Sequence, residues 1–231
     1  MAIDPTRIRA ICFDIDGTLA DTDDVYVIRL AARLRPVTPW IGGRDLTVFA
    51  RRVVMALEGP VNSLVWLVDS LGLDELAPRF LDPIYRLRGA PSAERTRLIE
   101  GVHEALVRLH SRYPLAVVSA RDRQSTDAFL DHHGLRRLFK AVASARTCRR
   151  TKPHPAPLLW AARTMGVDPE ACLMVGDTRP DIRAAKAAGA QAVGVLSGFG
   201  ERAEPERAGA DLILDSAASL PGVLDIGAGA T

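Results

Sequence analysis

The chain has 231 residues, 48% of them apolar and 25% charged, and its 30 cationic residues are 27 Arg and three Lys. A chain this long buries roughly 70% of its extended surface on folding and needs no disulfide staple; Cys12, Cys148 and Cys172 are odd in number, share no CxxC spacing, and read as small buried hydrophobes in a reducing compartment. The evenly spread net charge of +2 argues against a nucleic-acid surface, and no apolar run approaches the roughly 20 residues that span a bilayer, so the expected setting is cytoplasmic, without nucleic-acid or membrane partners.

Residues 8–13 (IRAICF) form a near-continuous apolar run ending in Asp14, the pattern of a strand buried on both faces of a parallel sheet. Between residues 19 and 91 no strand-like run follows. Instead 25–35, 45–57, 61–71 and 74–87 place apolar residues at helical spacing, separated by Pro36, Pro39, Gly42, Gly43, Gly59, Pro60 and Gly72, which predicts a helical insert. Further strands are predicted at 115–118, 141–143, 172–175, 192–196 and 212–214. Helices at 122–133, 155–165 and 180–188 separate them, the last closed by Gly189. This alternation implies right-handed crossovers and an α/β, doubly wound parallel sheet. The tail from Asp225 reads as frayed.

In such a sheet, ligands bind beyond the carboxyl ends of the strands, so polar residues just after each apolar run are the candidates. The first strand delivers Asp14-Ile15-Asp16-Gly17-Thr18. Residues two apart in an extended segment point the same way, so Asp14 and Asp16 are expected to face one pocket. Two adjacent carboxylates repel unless a cation or proton intervenes, which makes a divalent metal the economical explanation, with a turn or capping role as the plainer one. Ser119 ends the second strand before a helix start, as an anion contact or as a helix cap. Lys152 sits in Thr151-Lys152-Pro153-His154-Pro155, where it either neutralises a carboxylate and a phosphoryl oxygen or is a solvated surface lysine. Asp177 ends the strand that runs into Gly176-Asp177-Thr178-Arg179-Pro180-Asp181. Asp181 has two readings, a metal ligand or the third residue of a capping box begun by Thr178.

The order of these signals is more specific than any one of them. DIDGT, Ser119 after an apolar strand, the Lys152 of KPHP, and GDTRPD together resemble the haloacid dehalogenase superfamily of phosphohydrolases, most closely its phosphoglycolate phosphatase and β-phosphoglucomutase group. The resemblance implies a Rossmann-like core at 1–18 and 93–231 with an all-helical cap domain at 19–92. It implies that Asp14 attacks phosphorus to form an aspartyl phosphate, while Asp16 protonates the leaving oxygen and later deprotonates water. It implies Mg2+ held by Asp14, the Asp16 backbone carbonyl and Asp177, with Asp181 as a direct or indirect ligand. Ser119, Lys152 and backbone N–H groups near Thr18 and Ala120 are then expected to hold the phosphoryl oxygens of a small phosphorylated metabolite.

Departures narrow the choice. Dehalogenase members lack the second aspartate of the first motif, so Asp16 favours phosphoryl transfer. Phosphonate-cleaving members use a cap lysine, and the three lysines here, Lys140, Lys152 and Lys186, all lie outside the insert. Tyr26 stands where β-phosphoglucomutases carry a histidine, which disfavours a phosphomutase. Arg44, in the turn Ile41-Gly42-Gly43-Arg44, is the candidate for a second anionic group on the substrate, with Arg51 and Arg52 behind it; a solvated helix face is the plainer reading of all three. Asp21, Asp23 and Asp24 read as a solvated or helix-capping hinge, and Ser197-Gly198-Phe199-Gly200 as a loop at the rim of the site. A monomer or homodimer is expected. A non-catalytic phosphoacceptor or binding protein on the same fold is the other class of function in view.

Overall fold

The computed structural model describes residues 3–21, 96–198 and 202–225. The chain divides into two units, Met1–Thr22 with Ser92–Thr231, and Asp23–Pro91, and all described residues belong to the first. The predicted insert helices, Tyr26, Arg44, Arg51, Arg52, Asp23, Asp24, Phe199, Gly200 and the tail beyond Asp225 lie outside the described residues.

Among the described residues the strands are β1 (Ala10–Phe13), β2 (Ala20–Asp21), β3 (Arg97–Leu98), β4 (Leu115–Val118), β5 (Phe139–Ala143), β6 (Cys172–Gly176), β7 (Gln191–Val195) and β8 (Leu212–Leu214). The helices are α1 (Val102–His110), α2 (Arg123–His132), α3 (Ala156–Met165), α4 (Arg179–Ala187), α5 (Ala203–Ala208) and α6 (Leu220–Val223). Six strands form one parallel sheet in the order β5-β4-β1-β6-β7-β8. The chain builds outward from β1 on one side, then crosses back and builds on the other. The carboxyl ends of β4, β1 and β6 therefore meet where the strand order reverses.

The two faces of the sheet bury different sizes of side chain. Ile11, Phe13, Leu115, Val117, Leu173 and Val175 share one core with Leu106 and Leu109 of α1 and Phe129 of α2. Ala10, Cys12, Ala116, Ala141, Ala143, Cys172 and Ala192 face the other way, under Leu158 and Ala162 of α3 and Ile182 of α4. Small residues on the strands leave room for the larger ones that these two helices bring, so both faces fill. All three cysteines are free, Cys12 and Cys172 inside this second layer and Cys148 half-buried.

Local signals set the ends of the elements. Asp122 caps α2 by accepting from the Ser125 N–H at 2.9 Å. Gly189 follows α4 with φ +78°, a left-handed stop that lets β7 begin two residues later. The sequence reading did not anticipate α1 or the small hairpin of β2 and β3. Their pairing, Ala20 with Leu98 and Asp21 with Arg97, ties the point where the chain leaves the first unit to the point where it returns. Leu19 and Ala20 are fully buried in the core, so the first unit continues past residue 18.

Edge strand β8 is tethered through Asp211, whose Oδ2 accepts from the buried Ala192 N–H at 2.9 Å and from Lys186 Nζ at 2.5 Å. Removing the carboxylate orphans a strand N–H, which costs about 1–3 kcal/mol, whereas the half-exposed lysine contributes at most about 1 kcal/mol. Asp211→Ala is expected to destabilise the protein by more than Lys186→Ala in urea denaturation. Equal losses would place the tether in the ion pair rather than the strand bond.

Candidate active site

The loop after β1 is wound tightly on one carbonyl. Ile15 O accepts from the N–H groups of Thr18 at 3.2 Å, Leu19 at 2.9 Å and Ala20 at 2.8 Å, and Gly17 takes φ +71° to close the turn. Asp14, at the strand end, still pairs with the sheet by donating its N–H to Val175 O at 3.0 Å. Its carboxylate is 2.8 Å from Lys152 Nζ.

That ammonium is the centre of the site. Lys152 donates to Asp181 Oδ1 at 2.6 Å and to Val118 O at 2.9 Å and forms an ion pair with Asp14, so one ammonium joins three elements. Its side chain is only 5% exposed. Burial alone pulls such a group down, but the charges of Asp14 and Asp181 outweigh that and hold the ammonium above the ordinary lysine value. The solvated reading of Lys152 is thereby excluded.

Asp14, Asp177 and Asp181 are all buried and offer oxygens that lie within 4.8 Å of one another. Burial pushes Asp14 up to about 7, with the charges of Asp181 and Asp16 adding to the shift and Lys152 opposing it. Burial also raises Asp177 well above the ordinary carboxylate value, with the charges of Asp181 and Asp14 reinforcing the rise. With all three ionised, three carboxylates against one ammonium would leave two negative charges uncompensated, which is why Asp14 and Asp177 hold protons more tightly than ordinary carboxylates. An oxygen-only set with that surplus fits a hard divalent cation such as Mg2+.

Asp181 takes the capping role, and it also meets Lys152. Its Oδ2 accepts from the Thr178 N–H at 3.1 Å and the Thr178 hydroxyl at 2.5 Å, which completes the capping box at the start of α4, while Oδ1 takes the lysine. Both oxygens thus have protein partners, and Asp14 and Asp177 are the more available ligands. Asp177 is crowded instead by glycines. A Cβ built on Gly198 would strike its carboxylate and come within 2.9 Å of Gly17 Cα, and Gly17 is restricted in the same way. Ser197 Oγ seals this contact by donating to Gly17 O at 2.8 Å, so residues 197 and 198 of the glycine loop do lie at the site.

Asp16 is held differently from Asp14. Its carboxylate is not part of the three-aspartate cluster shared with Asp14 but is gripped by Arg121, Nε to Oδ2 at 2.8 Å and Nη2 to Oδ1 at 2.6 Å. The strand ends at Phe13 and the backbone bends at Ile15, so residues 14 and 16 are not two steps along one extended strand. Thr18 also differs: its N–H is committed to Ile15 O, and it reaches the site through its hydroxyl, 3.4 Å from Asp177 Oδ1. Ser119 is not the cap of α2, a task taken by Asp122; its Oγ accepts from the Arg121 N–H at 3.2 Å beside Ala120. Arg121 was missed as a functional residue. The available signal was an arginine set directly before a helix N-cap, where the helix dipole disfavours a cation.

A parallel sheet whose central strand ends in a buried carboxylate and ammonium cluster defines an α/β enzyme with its site at the strand tips. The model of the haloacid dehalogenase-like hydrolases matches residues 8–189. The phosphoglycolate phosphatase of Nitrosococcus oceani is 31% identical over 226 residues, covering 93% of this chain and 95% of that protein. That of Pseudomonas syringae pv. tomato is 33% identical over 233 residues, covering 95% and 81%. The crystal structure of a HAD family hydrolase from Deinococcus radiodurans, with bound phosphate and sodium, has a TM-score of 0.68 at 25% identity, covering 96% of this chain and 97% of that one. The chain belongs to the haloacid dehalogenase-like hydrolases. No helix among the described residues is long and apolar enough to cross a membrane.

Two variants separate charge from shape at Asp177. Asp177→Asn relieves buried repulsion and is expected to raise the melting temperature of the metal-free protein by about 2 °C or more, while removing any further rise on adding Mg2+. Gly198→Ala keeps all three carboxylates but displaces one, and is expected to weaken Mg2+ binding about tenfold or more. A metal-free Asp177→Asn protein that melts lower than the parent would contradict the charge surplus.

Proposed function

We propose that this hydrolase is a phosphatase that cleaves a small phosphomonoester through an aspartyl phosphate, with Asp14 as nucleophile and Asp16 as general acid and base. The observation that carries the reading is the buried Lys152 ammonium, 2.8 Å from Asp14 and 2.6 Å from Asp181, beside Asp177. It opposes the protonation of Asp14 that burial favours, and so helps to keep a nucleophilic carboxylate at the strand end.

In the first step an Asp14 oxygen attacks phosphorus, the bond from phosphorus to the leaving oxygen breaks, and that oxygen takes a proton from Asp16 and departs as the alcohol. In the second step water attacks the phosphorus of the aspartyl phosphate and gives a proton to the Asp16 carboxylate. The bond to Asp14 breaks, and inorganic phosphate leaves. Ser119, the Ala120 N–H and Lys152 hold the phosphoryl oxygens. Thr18 acts through its hydroxyl on Asp177 rather than through its N–H. Asp14, Asp177 and the Asp16 carbonyl are the residues that would hold Mg2+, with Asp181 direct or one step removed. When bound, the ion offsets negative charge on the transferring group.

The unit of residues 1–22 and 92–231 serves as the catalytic core, with the insert at 23–91 as the cap and its Arg44 as the contact for a second anionic group on the substrate. The curated relatives named phosphoglycolate phosphatase make 2-phosphoglycolate the first substrate to assay. The purified protein is expected to release phosphate from such esters with Mg2+ and to stop on chelation. Asp14→Asn is expected to lower kcat at least about a thousandfold. Retained turnover in that variant would remove Asp14 as the nucleophile.

A further inference from the structure

We infer that Arg121 is the positioning residue for Asp16, a role that rests on the acid and base function proposed above for that aspartate. Its guanidinium meets both carboxylate oxygens, at 2.8 and 2.6 Å, in the parallel two-bond geometry that fixes rotation as well as distance. The two partners are unequally held. The Arg121 side chain is 5% exposed and that of Asp16 37%, so the arginine is the anchored member and the aspartate the one that depends on it.

Three further contacts make Arg121 rigid. Its guanidinium carbon lies 5.1 Å from the centre of the Phe129 ring on α2. Its carbonyl accepts from the Ala145 N–H at 2.8 Å, and its own N–H donates to Ser119 Oγ at 3.2 Å. The residue that orients Asp16 is thus in the same turn as the serine assigned to the phosphoryl group. Its backbone ties it to the ends of β4 and β5. The distance between the phosphoryl contact and the proton-transferring carboxylate is therefore set from one short segment whose Ser119 and Arg121 are both buried, rather than by Asp16 itself, the part-exposed residue of the loop after β1.

A merely structural ion pair of this kind contributes little to stability, because one partner is well exposed. A positioning role makes a different demand. The proton from Asp16 matters most when the leaving oxygen is a poor leaving group, as in an alkyl ester, and little when it leaves readily as a nitrophenolate. Arg121 should follow the same rule, since it acts only through Asp16. Lysine offers a single point charge in place of the fork and should recover only part of the effect.

The test compares kcat and KM for 2-phosphoglycolate and para-nitrophenyl phosphate, with Mg2+, in the parent, Arg121→Gln, Arg121→Lys, Asp16→Asn and the Asp16→Asn/Arg121→Gln double variant. Arg121→Gln is expected to lower kcat on the alkyl ester about 10- to 100-fold with a much smaller loss on the nitrophenyl ester. Arg121→Lys falls between it and the parent, and the double variant is no slower than Asp16→Asn alone. Equal losses on the two esters, losses that multiply in the double variant, or an unchanged kcat would each overturn the proposal. If the parent hydrolyses neither ester, or Asp16→Asn is as fast as the parent on 2-phosphoglycolate, it is the functional reading that fails. A crystal structure of Arg121→Gln tests the clamp independently of turnover: the Asp16 carboxylate is expected to leave its present orientation, and finding it unmoved would refute the role assigned to Arg121.

Discussion

The site depends on one buried ammonium. Lys152 brings together Asp14 from the end of β1, Asp181 from the first turn of α4 and the Val118 carbonyl from the end of β4. A lysine suits this place better than the arginine used almost everywhere else in the chain. Its compact head presents three donors around one centre, whereas a planar fork matches a single carboxylate side-on. The contrast is visible a few residues away, where Arg121 grips Asp16 with two parallel bonds. The other two lysines are also committed to oxygen acceptors, Lys140 to Met165 O and Lys186 to Asp211. In this chain lysine is used where a point charge has a fixed partner.

The fold provides the place for that charge. Building outward from β1 in both directions puts the ends of β4 and β6 on either side of it. A buried parallel sheet supplies the low-polarity surroundings that make the carboxylates costly to ionise and the ammonium effective in offsetting them. The hairpin of β2 and β3 then lets the chain leave and return at one point, so a long inserted segment adds little closure entropy to the core.

How much of this was legible in the sequence follows from the range of each interaction. The six strands of the main sheet were readable because a strand buried on both faces writes a short apolar run, and β4 and β8 match their predicted bounds. Helix α1 was missed although Val102, Ala105, Leu106 and Leu109 carry its spacing, since the strand before it, β3, is two residues long and leaves no apolar run to mark the alternation. Asp14, Lys152, Asp177 and Asp181 were readable as strand-end and loop signals, and the structure brings all four together. Arg121 was not, because its pairing with Asp16 spans 105 positions and depends on how the chain bends after β1. The crowding of Asp177 by Gly17 and Gly198 was hidden for the same reason: glycines in a loop look alike until the chain that passes over them is known.

The bend at Ile15 also bears on how four acidic residues can coexist in one corner of the molecule. Had the strand continued straight, Asp16 would have joined Asp14 on the same side and added a fourth carboxylate to a buried cluster with a single ammonium. By turning, the loop sends Asp16 to a half-exposed position with its own guanidinium, where solvent and Arg121 both screen its charge. The corner is thereby split into a buried set, Asp14, Asp177 and Asp181 around Lys152, that carries surplus negative charge, and an outer pair that is neutral. Only the first has reason to attract a cation. Only the second keeps a carboxylate close to water, as the proton exchange proposed for Asp16 requires.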